Sequence, residues 1–192
     1  MALRVSYLFS IILTLFFSNY SMAGGAVFDL NTFYFTDSLT QTSEDKYDLT
    51  TYAFLLGFML DNKGRYQLGW NYASYSTNNI SDSTTKEYKS SQMGPAFVMY
   101  LNKDRTLRFG FAYNLSTAGT YTESPATSEK WRGTGLAGDL GYQFQYSESF
   151  SFGMRLNYSS TTFNEKLVDT TQTTVSYKKN IIYPSIALTV EL

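Results

Sequence analysis

Residues 107–114 read LRFGFAYN. In an extended chain successive side chains point to opposite faces, so Leu107, Phe109, Phe111 and Tyr113 share one face and Arg108, Gly110, Ala112 and Asn114 the other. A helical period would mix the two sets around its circumference. One face is therefore bulky and uncharged, the other small and polar. The pattern returns at residues 66–73, YQLGWNYA, and at residues 150–158, FSFGMRLNY.

Followed outward from these stretches, the alternation predicts eight strands: Ala26–Phe35, Leu49–Leu60, Tyr66–Ser76, Tyr88–Leu101, Thr106–Ser116, Trp131–Tyr146, Phe150–Ser160 and Tyr177–Leu192. Three connections are short, at Asp61–Arg65, Asn102–Arg105 and Ser147–Ser149. The other four, Thr36–Asp48, Thr77–Glu87, Thr117–Lys130 and Thr161–Ser176, are longer and rich in Ser and Thr, and are expected to be solvated loops. Long and short connections alternate strictly, the pattern of an up-and-down antiparallel barrel with one rim of tight turns and one of loops. Both termini then lie at the rim of tight turns.

The two faces decide which side is out. The bulky set, from Phe28 and Leu30 through Trp70, Phe97 and Leu140 to Leu156 and Ile182, holds no charge. An Arg or Lys facing hydrocarbon at the bilayer midplane costs about 2–4 kcal/mol, so a lipid-facing surface excludes them. An eight-stranded barrel has an interior just wide enough for side chains to fill. The small polar face fits that interior and the aromatic face does not. The predicted fold is all-β, a closed up-and-down eight-stranded antiparallel transmembrane β-barrel. Tyr34, Tyr52, Tyr72, Tyr113 and Tyr158 would form an aromatic girdle at the outer headgroups, with Tyr66, Phe144, Tyr146 and Phe150 at the other rim. Pro95 and Pro184 fall inside predicted strands, where each removes a ladder donor, and bulges or local misregistration are expected there.

The amino terminus reads as an export signal. Arg4 supplies the positive charge, Val5–Phe17 is apolar apart from Ser and Thr, and Ser21 and Ala23 place small residues at the positions a signal peptidase inspects. Residues 1–23 are thus expected to be a cleaved secretory signal peptide and residues 24–192 the barrel. The apolar run is shorter than the roughly 20 residues a membrane helix needs. The absence of Cys excludes disulfides and thiolate chemistry, and the net charge of −1 gives no basic face for nucleic acid. There is no His either, which removes the usual general base of acyl-transfer and hydrolytic sites. No catalytic, cofactor-binding or metal-binding set is predicted, and the protein is read as a non-enzyme.

With these strands and connections the chain resembles the eight-stranded outer-membrane barrel families typified by OmpX and the membrane domain of OmpA. Ile186, Leu188, Val190 and Leu192 alternate to the last residue and look like the families' carboxyl-terminal assembly signal, although the families usually end in Phe or Tyr and this chain ends in Leu192. The resemblance implies a bacterial outer-membrane location with both termini periplasmic. It also implies contact with outer-membrane lipids and lipopolysaccharide, and passage through periplasmic chaperones and the barrel assembly machinery.

Five charges fall on the inward face: Asp29, Arg108, Asp139, Arg155 and Glu191. Isolated buried charges are costly, so a paired network filling the lumen is expected. Arg155 and Asp139 are predicted at similar height on neighbouring strands, with Arg108 near Asp29 and Glu191. A narrow ion path is the alternative use of the same residues. Phe33, Leu55, Met59, Tyr75 and Tyr100 on the inward face argue for filling. The resulting expectation is a barrel that contributes to envelope structure or to surface interaction through its four outer loops, with a small pore or a barrel binding apolar ligands from the membrane as the alternative. Alternation near residues 170–178 suggests that strands run on above the membrane, where exposed edges can recruit an extracellular partner by strand addition. Asn79, Asn114 and Asn157 begin glycosylation-like triplets, which are read as accidental.

Overall fold

The computed structural model describes residues 25–40, 44–81, 84–124 and 128–192, and the predicted export signal lies outside them. Eight strands follow one another: β1 Ala26–Thr40, β2 Glu44–Met59, β3 Tyr66–Ser81, β4 Thr84–Tyr100, β5 Leu107–Glu123, β6 Glu129–Ser147, β7 Phe150–Val168 and β8 Thr171–Glu191. Each pairs antiparallel with its sequence neighbour and β8 pairs back to β1, so the sheet is a closed up-and-down barrel.

The alternation settles the two surfaces as the sequence requires. Ile186, Leu156, Leu140 and Leu56 stand on the outside, with Ile186 69% exposed, while Asn114, Gln67 and Arg155 are buried within. Asn114 and Asn157 are therefore closed to any glycosylating enzyme. Glycine serves the narrow bore. A Cβ on Gly141 would lie 2.8 Å from the Arg155 Cγ, so the bare backbone lets the arginine stem pass.

Two tight turns share one device. Asp61 Oδ1 accepts the Arg65 and Tyr66 N–H groups at 2.7 and 3.1 Å. Asn102 Oδ1 accepts those of Thr106 and Leu107, both at 2.9 Å. The third residue on is left-handed in each, Gly64 at φ 61° and Arg105 at φ 56°. Glycine takes this conformation freely and arginine does not, so Arg105 is held there by its surroundings.

The long connections correct the sequence reading. Strands of 15 to 21 residues exceed the about 9–11 needed to cross a bilayer, and most of each expected loop is paired strand. β7 and β8 stay paired to Val168↔Thr171, across one register shift between Phe163 and Glu165, turning on Asp169 at φ 52°. Ser and Thr occupy both faces of these extensions, so period two is masked in the sequence even where β-branched Thr favours the strand. The two prolines behave differently. At Pro95 the β4–β5 register shifts between Met93 and Ala96, the expected bulge. Pro184 keeps register with Leu156 on β7, so no bulge forms in that ladder.

Candidate functional site

The lumen is built in levels. Nearest the tight turns, Glu191 ion-pairs with Arg105 and accepts from Gln67 Nε2 at 3.3 Å, and the Arg105 guanidinium lies 4.8 Å from the Tyr100 ring centre. Arg105 was read from sequence only as a turn residue.

The next level holds four charges, and their pairing differs from the sequence expectation. Arg155 makes a fork to Asp29, at 2.6 and 2.5 Å, rather than meeting Asp139. Asp139 pairs with Arg108, which also stands 3.9 Å from Asp29. Thr189 donates to Asp29 at 2.7 Å. In the β6–β7 ladder Asp139 faces Asn157 and Arg155 faces Gly141, and the stagger between strands of a tilted barrel carries the two charges to different partners. Gly110, opposite Asp139 in the β5–β6 ladder, leaves the room its carboxylate occupies.

Above the charges lies a chamber of about 50 Å³. The small side chains of Ala53, Ala73, Ala96, Ala112 and Ala137 leave this space, and Asp29, Asn71, Asp139, Asn157, Tyr75 and Tyr183 also line it. Asn31 Oδ1 and Arg108 Nε have no hydrogen-bond partner among the described residues, and both residues line this space. A polar belt caps it. Asn114 Nδ2 donates to Gln92 Oε1 at 2.7 Å, and Gln92 Nε2 donates to Thr161 Oγ1 at 2.5 Å.

An aromatic cluster fills the mouth beyond the belt. Trp131 lies 5.2 Å from both Phe163 and Tyr177 and 5.3 Å from Tyr121, and Tyr88 meets Phe163 edge-on at 6.3 Å. Phe163, 0% exposed, falls in an expected loop and was missed. Its only sequence signal was an isolated large apolar residue among Thr and Asn. Nearby, Lys166 binds Glu129 at 2.9 Å. Burial works to raise the Glu129 carboxyl, but hydrogen bonds from Lys166 and the Trp131 indole outweigh it and hold the carboxyl below its usual range.

The wall itself is unequal. Seven ladders run to between thirteen and eighteen residue pairs, but β1 and β8 share six, from Val27↔Glu191 to Thr32↔Ile186. Both strands continue, β1 paired only to β2 and β8 only to β7. Pro184 stands two residues past the last β8 partner. The outward tyrosines Tyr34, Tyr52, Tyr72, Tyr113 and Tyr158 lie around this height, Tyr72 packing on Phe54 at 5.1 Å and on Tyr52 at 6.4 Å. In the closing strand, Leu188 and Val190 oppose Leu30 and Phe28, Ile186 is exposed, and the Leu192 N–H bonds to Ala26 O at 2.9 Å.

Among the described residues no group of three or more His, Cys, Asp or Glu side chains is placed to hold a metal ion. No family model matches the chain, and no curated protein does. Among solved structures it is similar to Neisserial surface protein A, at 11% identity and TM-score 0.48, covering 88% of this chain and 97% of that one. It is also similar to Ail, the attachment invasion locus protein of Yersinia pestis, in complex with the heparin analogue sucrose octasulfate, at 12% identity and TM-score 0.41, covering 88% and 96%. A third, OmpT, an outer membrane protein of Vibrio cholerae, gives 10% identity and TM-score 0.28, covering 91% and 53%. With its ring of eight antiparallel strands, apolar skin and polar, filled bore, the chain folds as an eight-stranded β-barrel of the outer-membrane type.

Proposed function

We propose that the protein is a non-enzymatic integral barrel of a bacterial outer membrane, its termini and tight turns periplasmic, whose strand extensions act at the cell surface. The observation that carries the reading is the pairing of an uncharged apolar belt with strands that run on past the tyrosine level. Leu56, Leu140, Met154, Leu156, Ile182 and Ile186 are all more than half exposed, a surface no water-soluble barrel keeps. Outer-membrane lipids and lipopolysaccharide would cover it, after delivery by periplasmic chaperones and the barrel assembly machinery acting on Ile186, Leu188, Val190 and Leu192.

From the tyrosine level upward, β1 from Phe33 and β8 up to Ser185 present edges that do not pair with each other. Unpaired N–H and C=O groups of this kind accept an added strand, which suits a surface-interaction role. Fractionation of cells, with gel mobility compared before and after boiling, tests the location. Recovery in the soluble fraction with no change of mobility would refute it. Replacing residues 165–174 by a short turn, which spares Thr161, Phe163 and Tyr177, should then leave assembly intact and remove partner capture by the extension. A pore is the weaker use of this bore, since ion-paired, amide-bonded and aromatic levels each cross it.

A further inference from the structure

We infer that the chamber between the charge level and the amide belt is a hydration site, where a small cluster of buried water molecules links Asn31 on β1 to Arg108 on β5 across the bore. The site belongs to the lumen and goes beyond the surface role proposed above. It stands or falls independently of what surrounds the barrel.

Two side chains mark the chamber as a binding site rather than a packing gap. Arg108 is 3% exposed, and its terminal nitrogens serve Asp139 and approach Asp29, but its Nε–H donates to nothing among the described residues. Asn31 Oδ1, also buried, accepts from nothing among them. Both residues line the chamber. Buried polar atoms are nearly always bonded, to protein or to ordered water, and a charged donor left bare is the costliest exception. The walls can complete the coordination, since Asp29, Asn71, Asp139 and Asn157 also face this space and a buried water makes about three hydrogen bonds.

Room for the waters comes from the sequence. An eight-stranded bore is ordinarily filled by side chains. Here Ala53 pairs with Ala73, and Ala112 pairs with both Ala96 and Ala137, so a run of wall offers only methyl groups. The resulting chamber of about 50 Å³ exceeds the about 10–15 Å³ that one water requires and is too small for a larger solute.

The chemistry of the two orphan atoms selects the occupant. One is a donor and the other an acceptor, and water accepts from the Nε–H while donating to the Oδ1. A cation would serve only the oxygen and would face the guanidinium. An anion would serve only the N–H and would face two carboxylates. Asp29 and Asp139 already balance Arg155 and Arg108, so the level holds no net charge for an ion to neutralise. β1 and β5 stand four strands apart in the ring of eight. The waters therefore add a second tie across the bore, above the approach of Arg108 to Asp29.

The test uses the mature chain folded in detergent micelles, with isotope-labelled alanine methyl groups. Cross-relaxation with water protons changes sign between long-lived buried water and passing solvent. The methyls of Ala96, Ala112 and Ala137 should report long-lived water, and Ala187, buried but outside the chamber, should not. Ala112→Leu fills the space and should abolish the signals of Ala96 and Ala137, while the amide spectrum reports a formed barrel. Should that variant fail to assemble, Asn31→Leu removes the acceptor and reads the same loss. Lining methyls without a water signal in the folded wild type would mean a dry chamber and overturn the inference. Signals that persist unchanged in the filled protein would come from neighbouring hydroxyls and overturn it too, as would an equal signal at Ala187. Crystals soaked in rubidium bromide supply the remaining arm, because an anomalous peak in the chamber would replace water by an ion.

Discussion

Asp29→Ala is the most informative single change. The carboxylate is buried on β1, takes two bonds from Arg155 and one from Thr189, and lies 3.9 Å from Arg108. Two cations and two anions balance at this level, so removing Asp29 leaves two guanidiniums facing one carboxylate. Breaking a buried pair in this way costs about 3–5 kcal/mol, because the surviving charge is left without compensation. With a urea slope of about 2 kcal/mol per molar, unfolding in vesicles should shift down by about 2 M. The control is Asp29→Leu with Arg155→Leu, which removes both charges and leaves Arg108 with Asp139. It should recover most of the loss, since a well-packed apolar replacement of a buried pair is often neutral. A single-variant loss under about 1 kcal/mol, the range of exposed pairs, or a double variant at least as costly as the single one, would refute the claim that this level is a closed charge network.

Other consequences follow from the same geometry. Gly110→Ala places a methyl against the Asp139 carboxylate and should lower the urea midpoint, whereas Gly138→Ala, which meets only the Gly110 carbonyl oxygen at 3.5 Å, should not. Arg105→Gly relieves the left-handed backbone but removes the Glu191 ion pair, so it should cost less than Arg105→Ala, which loses the pair and keeps the strain; guanidine or urea titration ranks them. Purified protein in planar bilayers should give no stable conductance that Arg155→Leu or Asp139→Asn alters. Reproducible channels sensitive to these changes would overturn the plugged-lumen reading.

The barrel was legible because its belt repeats one rule eight times. Leu107, Phe109, Phe111 and Tyr113 announce an apolar face, and the alternating connection lengths announce the order of strands. Illegible was whatever depended on the stagger between strands. Arg155 was matched to Asp139 because both lie at one height, yet shear carries it to Asp29, on the far side of β8. The extensions read as loops because Thr and Ser satisfy solvent on one face and hydrogen bonds on the other, leaving Phe163 as an isolated mark of an interior. The short β1–β8 ladder left no trace beyond Pro184, since pairing across the chain's two ends involves no local pattern.

The charge level and the short seam explain one another. Asp29 on β1 faces Thr189 on β8 in the middle of the six-pair ladder, and Arg155 on β7 reaches across β8 to the same carboxylate. Side-chain bonds thus tie the first strand to the last two where backbone pairing is least extensive. Above Thr32 neither kind of tie joins β1 to β8 among the described residues, and Phe33 meets Tyr183 across the gap. A ladder as long as the others would not need a buried tetrad beside it. Placing the charges low and the aromatics high keeps the barrel closed at the tight turns while leaving the seam near the tyrosine level free to part. Amide exchange should accordingly be slow for Phe28 and Leu30 and fast for Tyr34 and Thr36, whose N–H groups face β8, with Asp29→Ala erasing the difference by loosening the lower half.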